Sequence, residues 1–193
     1  MFRTRLAVLA SAAALFIAAP ASAQVILQPP YTQPGPPDLV PQVSGNKSTI
    51  LAGPYSGGGV TETVLFTIRV DNQTTVVASN RFTGAKQIAG SDASGVSLEV
   101  YLGPSLRQGG GIIASNGLTC WSAQNGHAVQ CSNGTIAAGS SAEVVIEAFA
   151  DRIAAPCVEW DRATVKVDPA NTIGETNESN NEEFASITIT SMC

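Results

Sequence analysis

The regular alternation of apolar and polar residues constrains this chain more than any other feature. From Thr61 to Val70, Val64, Phe66, Ile68 and Val70 share one phase, while Thr63, Leu65, Thr67 and Arg69 occupy the other. Residues two apart point to the same face of a strand, so this period predicts β-structure buried on one side. The pattern returns at Val96 to Leu102, where Val96, Leu98, Val100 and Leu102 oppose Ser97, Glu99 and Tyr101. It returns again at Ala142 to Ala150, with Val144, Ile146 and Ala148 set against Val145, Glu147 and Phe149. Asp38 to Val43, Leu118 to Ala123, Ala128 to Ser132, Ala163 to Val167 and Phe184 to Thr190 read as further strands, and Thr75 to Ala78 as a short one. No segment carries a helical period.

Seven or more short, regularly punctuated strands predict an all-β sandwich. Asp71-Asn72-Gln73, Gly103-Pro104 and Gly134 to Gly139 are read as the turns between them. Gly57-Gly58-Gly59 and Gly109-Gly110-Gly111 lack the strand-to-helix setting of a phosphate loop and read as flexible loop tips. Trp121 and Trp160 are expected in the core or at a sheet edge, where aromatic side chains dominate the packing of such folds.

The first 23 residues have the form of a secretory signal peptide: Arg3 and Arg5, an apolar run from Leu6 to Ala19, then Ala21-Ser22-Ala23 as a small-residue cleavage site. Residues 24–37 hold five prolines and read as an extended Pro-rich leader, with the domain proper at 38–193. Removing 23 of 193 residues leaves 170, and the loss of Arg3 and Arg5 takes the net charge from −5 to −7. Nucleic acid and anionic membranes both select clustered Lys and Arg, which this chain lacks, so neither is expected as a partner. The expected location is secreted or periplasmic, in the cell envelope, with no membrane insertion after cleavage. In that oxidising setting the four cysteines, Cys120, Cys131, Cys157 and Cys193, read as two disulfides. Three pairings are open. Cys120–Cys131, bracketing Asn125-Gly126, and Cys157–Cys193, fastening the last residue, are favoured.

Between two apolar alternating runs lies the polar stretch from Val167 to Glu182, rich in the Asp, Pro, Gly and Asn of turns. Its pattern V-D-P-x-N-x-I-x-E-x-x-E-x-N-N at 167–181, with Pro37-Asp38-Leu39-Val40 at the domain start, resembles the CARDB module, a cell-adhesion-related domain of bacteria. Upstream, Cys120 and Cys131 followed by Gly134-Thr135-Ile136-Ala137-Ala138-Gly139-Ser140-Ser141-Ala142 are similar to bacterial surface-protein repeat modules. Both resemblances imply an immunoglobulin-like β-sandwich, here disulfide-stapled. The chain departs from a plain CARDB repeat by longer segments around 45–59, 80–95 and 104–117.

For chemistry the inventory is short. Asp168, Asn171, Glu175, Glu178 and Asn180 offer oxygen ligands for Ca²⁺, but without EF-hand spacing. A structural loop is the favoured reading of them. His127 is the single histidine and reads as a surface residue rather than a general base. Glu143 with Glu147, and Glu182 with Glu183, are spaced for solvated strand faces rather than for a glycosidase pair. The N-x-[ST] triplets at Asn46, Asn72, Asn133 and Asn177 read as turn composition. No cofactor motif is present. The chain is therefore expected to be a non-enzymatic exported binding or structural module, with an adhesion-related role implied by the resemblance. Its expected partner is an envelope or extracellular protein or glycan. The alternatives are a Ca²⁺- or carbohydrate-binding accessory protein and, less favoured, a small exported hydrolase.

Overall fold

The computed structural model describes residues 34–53, 62–73, 90–150 and 157–191, and the backbone of 76–77 and 86–87. The chain divides into two compact units, Met1–Tyr31 and Thr32–Cys193. The first unit lies outside the described residues, and with it the expected signal peptide and most of the expected leader. Gly57, Gly58, Gly59 and Cys193 lie outside them too.

The described residues of the second unit form the strands β1 (Leu39–Gly45), β2 (Thr49–Leu51), β3 (Thr63–Asn72), β4 (Val76–Val77), β5 (Lys86–Gln87), β6 (Ala93–Leu102), β7 (Leu106–Ala114), β8 (Thr119–Ala123), β9 (Ala128–Ile136), β10 (Ser141–Ala150), β11 (Val158–Val167) and β12 (Glu182–Thr190). One sheet has the order β1-β3-β10-β7 and the other β2-β12-β11-β6-β9-β8, while β4 and β5 pair as a small ribbon. Pairing is antiparallel except between β12 and β2. The first order takes the places of A-B-E-D in an immunoglobulin domain, and β12-β11-β6 those of G-F-C, with β9 and β8 added beyond. The fold is an all-β, immunoglobulin-like sandwich.

Alternation decides which side chains meet between the sheets. Val64, Phe66, Ile68 and Val70 from β3 and Val144, Ile146 and Ala148 from β10 are buried, each at most 1% exposed. They face Val96, Leu98 and Val100 of β6, Ala163, Val165 and Val167 of β11, and Ile187 and Ile189 of β12, all equally buried. Each large aliphatic side chain taken from water in this way contributes about 1.5–3 kcal/mol.

Three local readings are corrected. Asp71 and Asn72 continue β3 opposite Val40 and Leu39 instead of turning, because β1 extends the ladder past Val70. Asn72 is 1% exposed. Its Nδ2 donates to the carbonyls of Ser91 and Ile136, both at 3.0 Å, and its Oδ1 accepts from the Asp38 amide at 3.3 Å. The triplet Gly109-Gly110-Gly111 is not a loop tip but the middle of edge strand β7. Ile112 faces Ile146 and Gln108 faces Ala148, so these glycines form a bulge opposite Glu147. A Cβ on Gly109 would collide with the Phe149 ring, and one on Gly110 with the Glu147 side chain. Glycine is required there by close approach, and the bulge bends an edge that would otherwise be free to pair. Finally, β9 runs on through Gly134 to Ile136, past the point at which the turn was placed.

Candidate functional site

The loop from Asp168 to Asn181 is a clasp. Asp168 accepts from the Asn171 amide through its carbonyl at 2.8 Å, closing a turn in which both residues have positive φ. Its carboxylate accepts from Thr172 Oγ1 at 2.8 Å and the Ile173 amide at 2.7 Å. Glu175 reaches the first strand: Oε2 accepts from the Leu39 amide at 2.6 Å, and Oε1 from Asn181 Nδ2 at 3.0 Å. Glu178 accepts from the Glu175 amide at 2.8 Å, and Asn180 Nδ2 donates to Asp38 Oδ1 at 3.0 Å. Thr176 donates through its amide to the Pro37 carbonyl and through its hydroxyl to that of Pro36. The two parts of the CARDB-like pattern, at 37–40 and 167–181, are thus two sides of one hydrogen-bonded joint.

That arrangement assigns the five proposed Ca²⁺ ligands. Asp168, Asn171 and Glu178 line a cleft of ≈ 340 Å³ that Glu175 and Asn180 do not reach. The Asp168 carboxylate is already engaged by the loop's own donors. No group of three His, Cys, Asp or Glu able to hold a metal ion exists among the described residues. Burial, with the nearby Glu178 and Asp168 carboxylates, raises the pKa of Glu175 to about 7 against the opposing hydrogen bonds from Leu39 and Asn181.

The other sequence-derived candidates are dispersed. Cys120 and Cys131 are joined by a disulfide across β8 and β9. Cys157 is disulfide-bonded as well, and Cys193, the partner expected for it, lies outside the described residues. His127 follows a 3₁₀ turn (Gln124–Gly126) and is half-buried rather than a surface residue. Its Nδ1 is buried without a hydrogen-bond partner among the described residues. Asp161 is electrostatically coupled to it; burial raises the pKa of that carboxylate, against hydrogen bonds from the Arg162 and Ser105 amides. Glu143 and Glu147 lie on the outward phase of β10. Glu182 pairs with Lys166 at 3.1 Å, and Glu183 accepts from the Phe184 amide. Asn46 Oδ1 accepts from the Leu65 amide, Asn177 holds Ser179 in a turn, and Asn133 has positive φ within β9.

The feature absent from the sequence reading is the outward face of the six-stranded sheet. On β11, Asp161, Ala163, Val165 and Val167 are buried, so Trp160, Arg162, Thr164 and Lys166 point outward. Trp160 is 76% exposed and Phe184 52%. Trp160 therefore sits on the open face of β11, outside the core, where β11 is paired with β12 but has run past the end of β6, whereas Trp121 occupies edge strand β8. Register places Phe184, Thr164 and Tyr101 in one row across three strands, and Glu182, Lys166, Glu99, Gln130 and Trp121 in the next row. Thr49 and Thr188 share the row of Trp160. The Arg162 guanidinium lies 5.5 Å from the centroid of the Phe184 ring. Gln130 Nε2 donates to Glu99 at 2.9 Å, and a hydrogen bond with Glu99 raises the pKa of the Tyr101 phenol. These contacts hold the Phe184 and Tyr101 rings on the sheet.

No model of a known family matches the sequence, and neither does any curated protein. Solved structures with a similar fold include the CARDB domain of the PF1109 protein of Pyrococcus furiosus in complex with di-metal ions. It has a TM-score of 0.46 at 13% identity, covering 81% of this chain and 90% of that one. BcpA, the major pilin subunit of Bacillus cereus, has a TM-score of 0.40 at 10% identity, covering 81% and 40%. ACE19, the collagen binding subdomain of the Enterococcus faecalis surface protein ACE, has 0.37 at 8% identity, covering 77% and 95%. A CARDB domain, the module that the sequence resembles, is thus among the similar folds.

Proposed function

We propose that this chain is a non-enzymatic, exported binding module of the bacterial envelope, with an adhesion-related role, and that it binds through the outward face of its six-stranded sheet. The observation that carries this reading is Trp160, 76% exposed on β11 and paired with Thr188 of β12. A sheet holds its side chains at fixed spacings, and exposed aromatic rings set there are placed to meet a ligand. Phe184, Tyr101 and Arg162 extend the surface with residue types that dominate binding energetics. A disulfide between Cys120 and Cys131 supports an oxidising compartment.

Co-sedimentation with isolated envelopes of the producing cells tests the assignment. The native protein is expected in the pellet and the W160A/F184A double variant in the supernatant. The variant I113A, altered on the opposite sheet where Ile113 is also exposed, is expected to pellet like the native protein. Equal sedimentation of W160A/F184A and native protein would exclude this face as the contact.

A further inference from the structure

We infer that the ligand of the β11–β12 face is an uncharged glycan, stacked on Trp160 and Phe184; this rests on the face being the binding surface. Charge narrows the ligand first. The ionised side chains on the face are Arg162, Lys166, Glu99 and Glu182, two of each sign. Lys166 is paired with Glu182, Arg162 lies over Phe184, and Glu99 is engaged by Gln130 and Tyr101. The four charges sum to zero, so the face offers neither an anionic nor a cationic polymer a net counter-charge, and the chain's net charge of −5 further disfavours anions. The complement of this surface is a neutral ligand.

The side chains between the rings narrow it further. Thr49, Thr188, Ser186 and Thr164 border Trp160, Arg162 and Phe184 in the ladder. A hydroxyl is donor and acceptor at once, so this row matches a ligand that presents many hydroxyls of its own. Protein interfaces, in contrast, are depleted in small polar residues such as Ser around their aromatic anchors. Phe184 lies opposite Thr164, four residues along β11 from Trp160 and one strand across. Strand geometry separates the two rings by roughly 14 Å. That distance along a flat sheet suits an extended chain of pyranose rings, whose C–H faces stack on aromatic π-surfaces while their hydroxyls meet the threonines.

The experiment treats the same envelopes in two ways before adding the protein. Periodate, which cleaves vicinal diols of sugars, is expected to abolish binding, and exhaustive protease digestion is expected to leave it intact. High salt is expected to leave affinity within about twofold, because an uncharged ligand offers nothing to screen. Trp160→Ala is expected to weaken binding at least about tenfold, with an unchanged far-UV spectrum and unfolding midpoint, because the side chain is solvent-exposed. Loss of binding on protease digestion with survival through periodate would assign a protein partner and overturn the glycan, while leaving the face as the binding surface. A steep fall of affinity with salt would overturn the neutral ligand. Binding by W160A/F184A equal to that of the native protein would overturn the face and the glycan together.

Discussion

Replacing Asn72 by Ala should unfold this domain more readily than any change on its surface. The side chain is 1% exposed and joins three segments distant in sequence: the Asp38 amide before β1, the Ser91 carbonyl before β6 and the Ile136 carbonyl at the end of β9. The truncation deletes all three bonds and leaves the Ile136 carbonyl buried without this donor. With about 0.5–1.5 kcal/mol for each neutral hydrogen bond and more where a buried group loses its partner, the expected loss is about 3 kcal/mol. For a domain of this size that lowers the melting temperature by roughly 6–12 °C. Urea titration of the oxidised protein, followed by far-UV dichroism, measures it, with the slope expected to be unchanged. Asn72→Asp keeps the volume but aims a carboxylate at two carbonyl oxygens, so at neutral pH it should be worse than Ala. Its carboxyl would be protonated more readily folded than unfolded. Stability is then present at low pH and lost as pH rises through the folded pKa, so the deficit of this variant should narrow on acidification. An N72A variant within about 0.5 kcal/mol of native would refute the claim that this amide ties the two sheets' connections together.

Three further outcomes follow from the clasp and the staple. Glu175 has a folded pKa of about 7 against an ordinary 4.5, so the folded state holds the extra proton between those values. Its contribution should be fully present below pH ~4.5 and lost as pH rises to ~7; thermal melts across that range should show the decline, and Glu175→Gln should flatten it. Removing the Cys120–Cys131 bridge as C120S/C131S opens a ring with a sequence separation of 11, which by loop entropy costs about 3 kcal/mol; a midpoint unchanged in urea would contradict it. Millimolar CaCl₂ or EDTA should leave the melting temperature unmoved, because the Asp168 carboxylate is held by Thr172 and Ile173; a rise with CaCl₂ that EDTA reverses would restore the calcium reading.

Sequence alternation was legible wherever one face of a strand is purely apolar, as in β3, β6 and β10. It failed where a polar residue occupies an inward position. The expected strand covers Ala163 to Val167, whereas β11 begins at Val158, and within the added part Asp161 points inward and is 7% exposed. Its carboxylate accepts from the amide of the adjacent Arg162 and from that of Ser105, in the turn after β6, a long-range bond that no local pattern announces. Stopping there hid Trp160 and the phase in which it lies. Gly109-Gly110-Gly111 misled for a related reason: glycine marks a loop by propensity, but here Gly109 and Gly110 leave room for the side chains of Phe149 and Glu147 on a neighbouring strand.

Both failures concern residues whose identity is set across strands, and the two phases of a strand answer to different demands. In β11 the inward residues Ala163, Val165 and Val167 specify the fold, whereas Trp160, Arg162 and Thr164 contribute almost nothing to the core. The outward phase is therefore free to vary without loss of stability, while the inward phase keeps it rigid. An aromatic of the size of Trp160 has no folding reason to be 76% exposed on the strand next to one that carries Phe184. Side chains that the core does not need, held on the most constrained part of the molecule, are where a ligand is best sought. In the clasp, by contrast, the Asp and Glu side chains are occupied by the backbone they hold together.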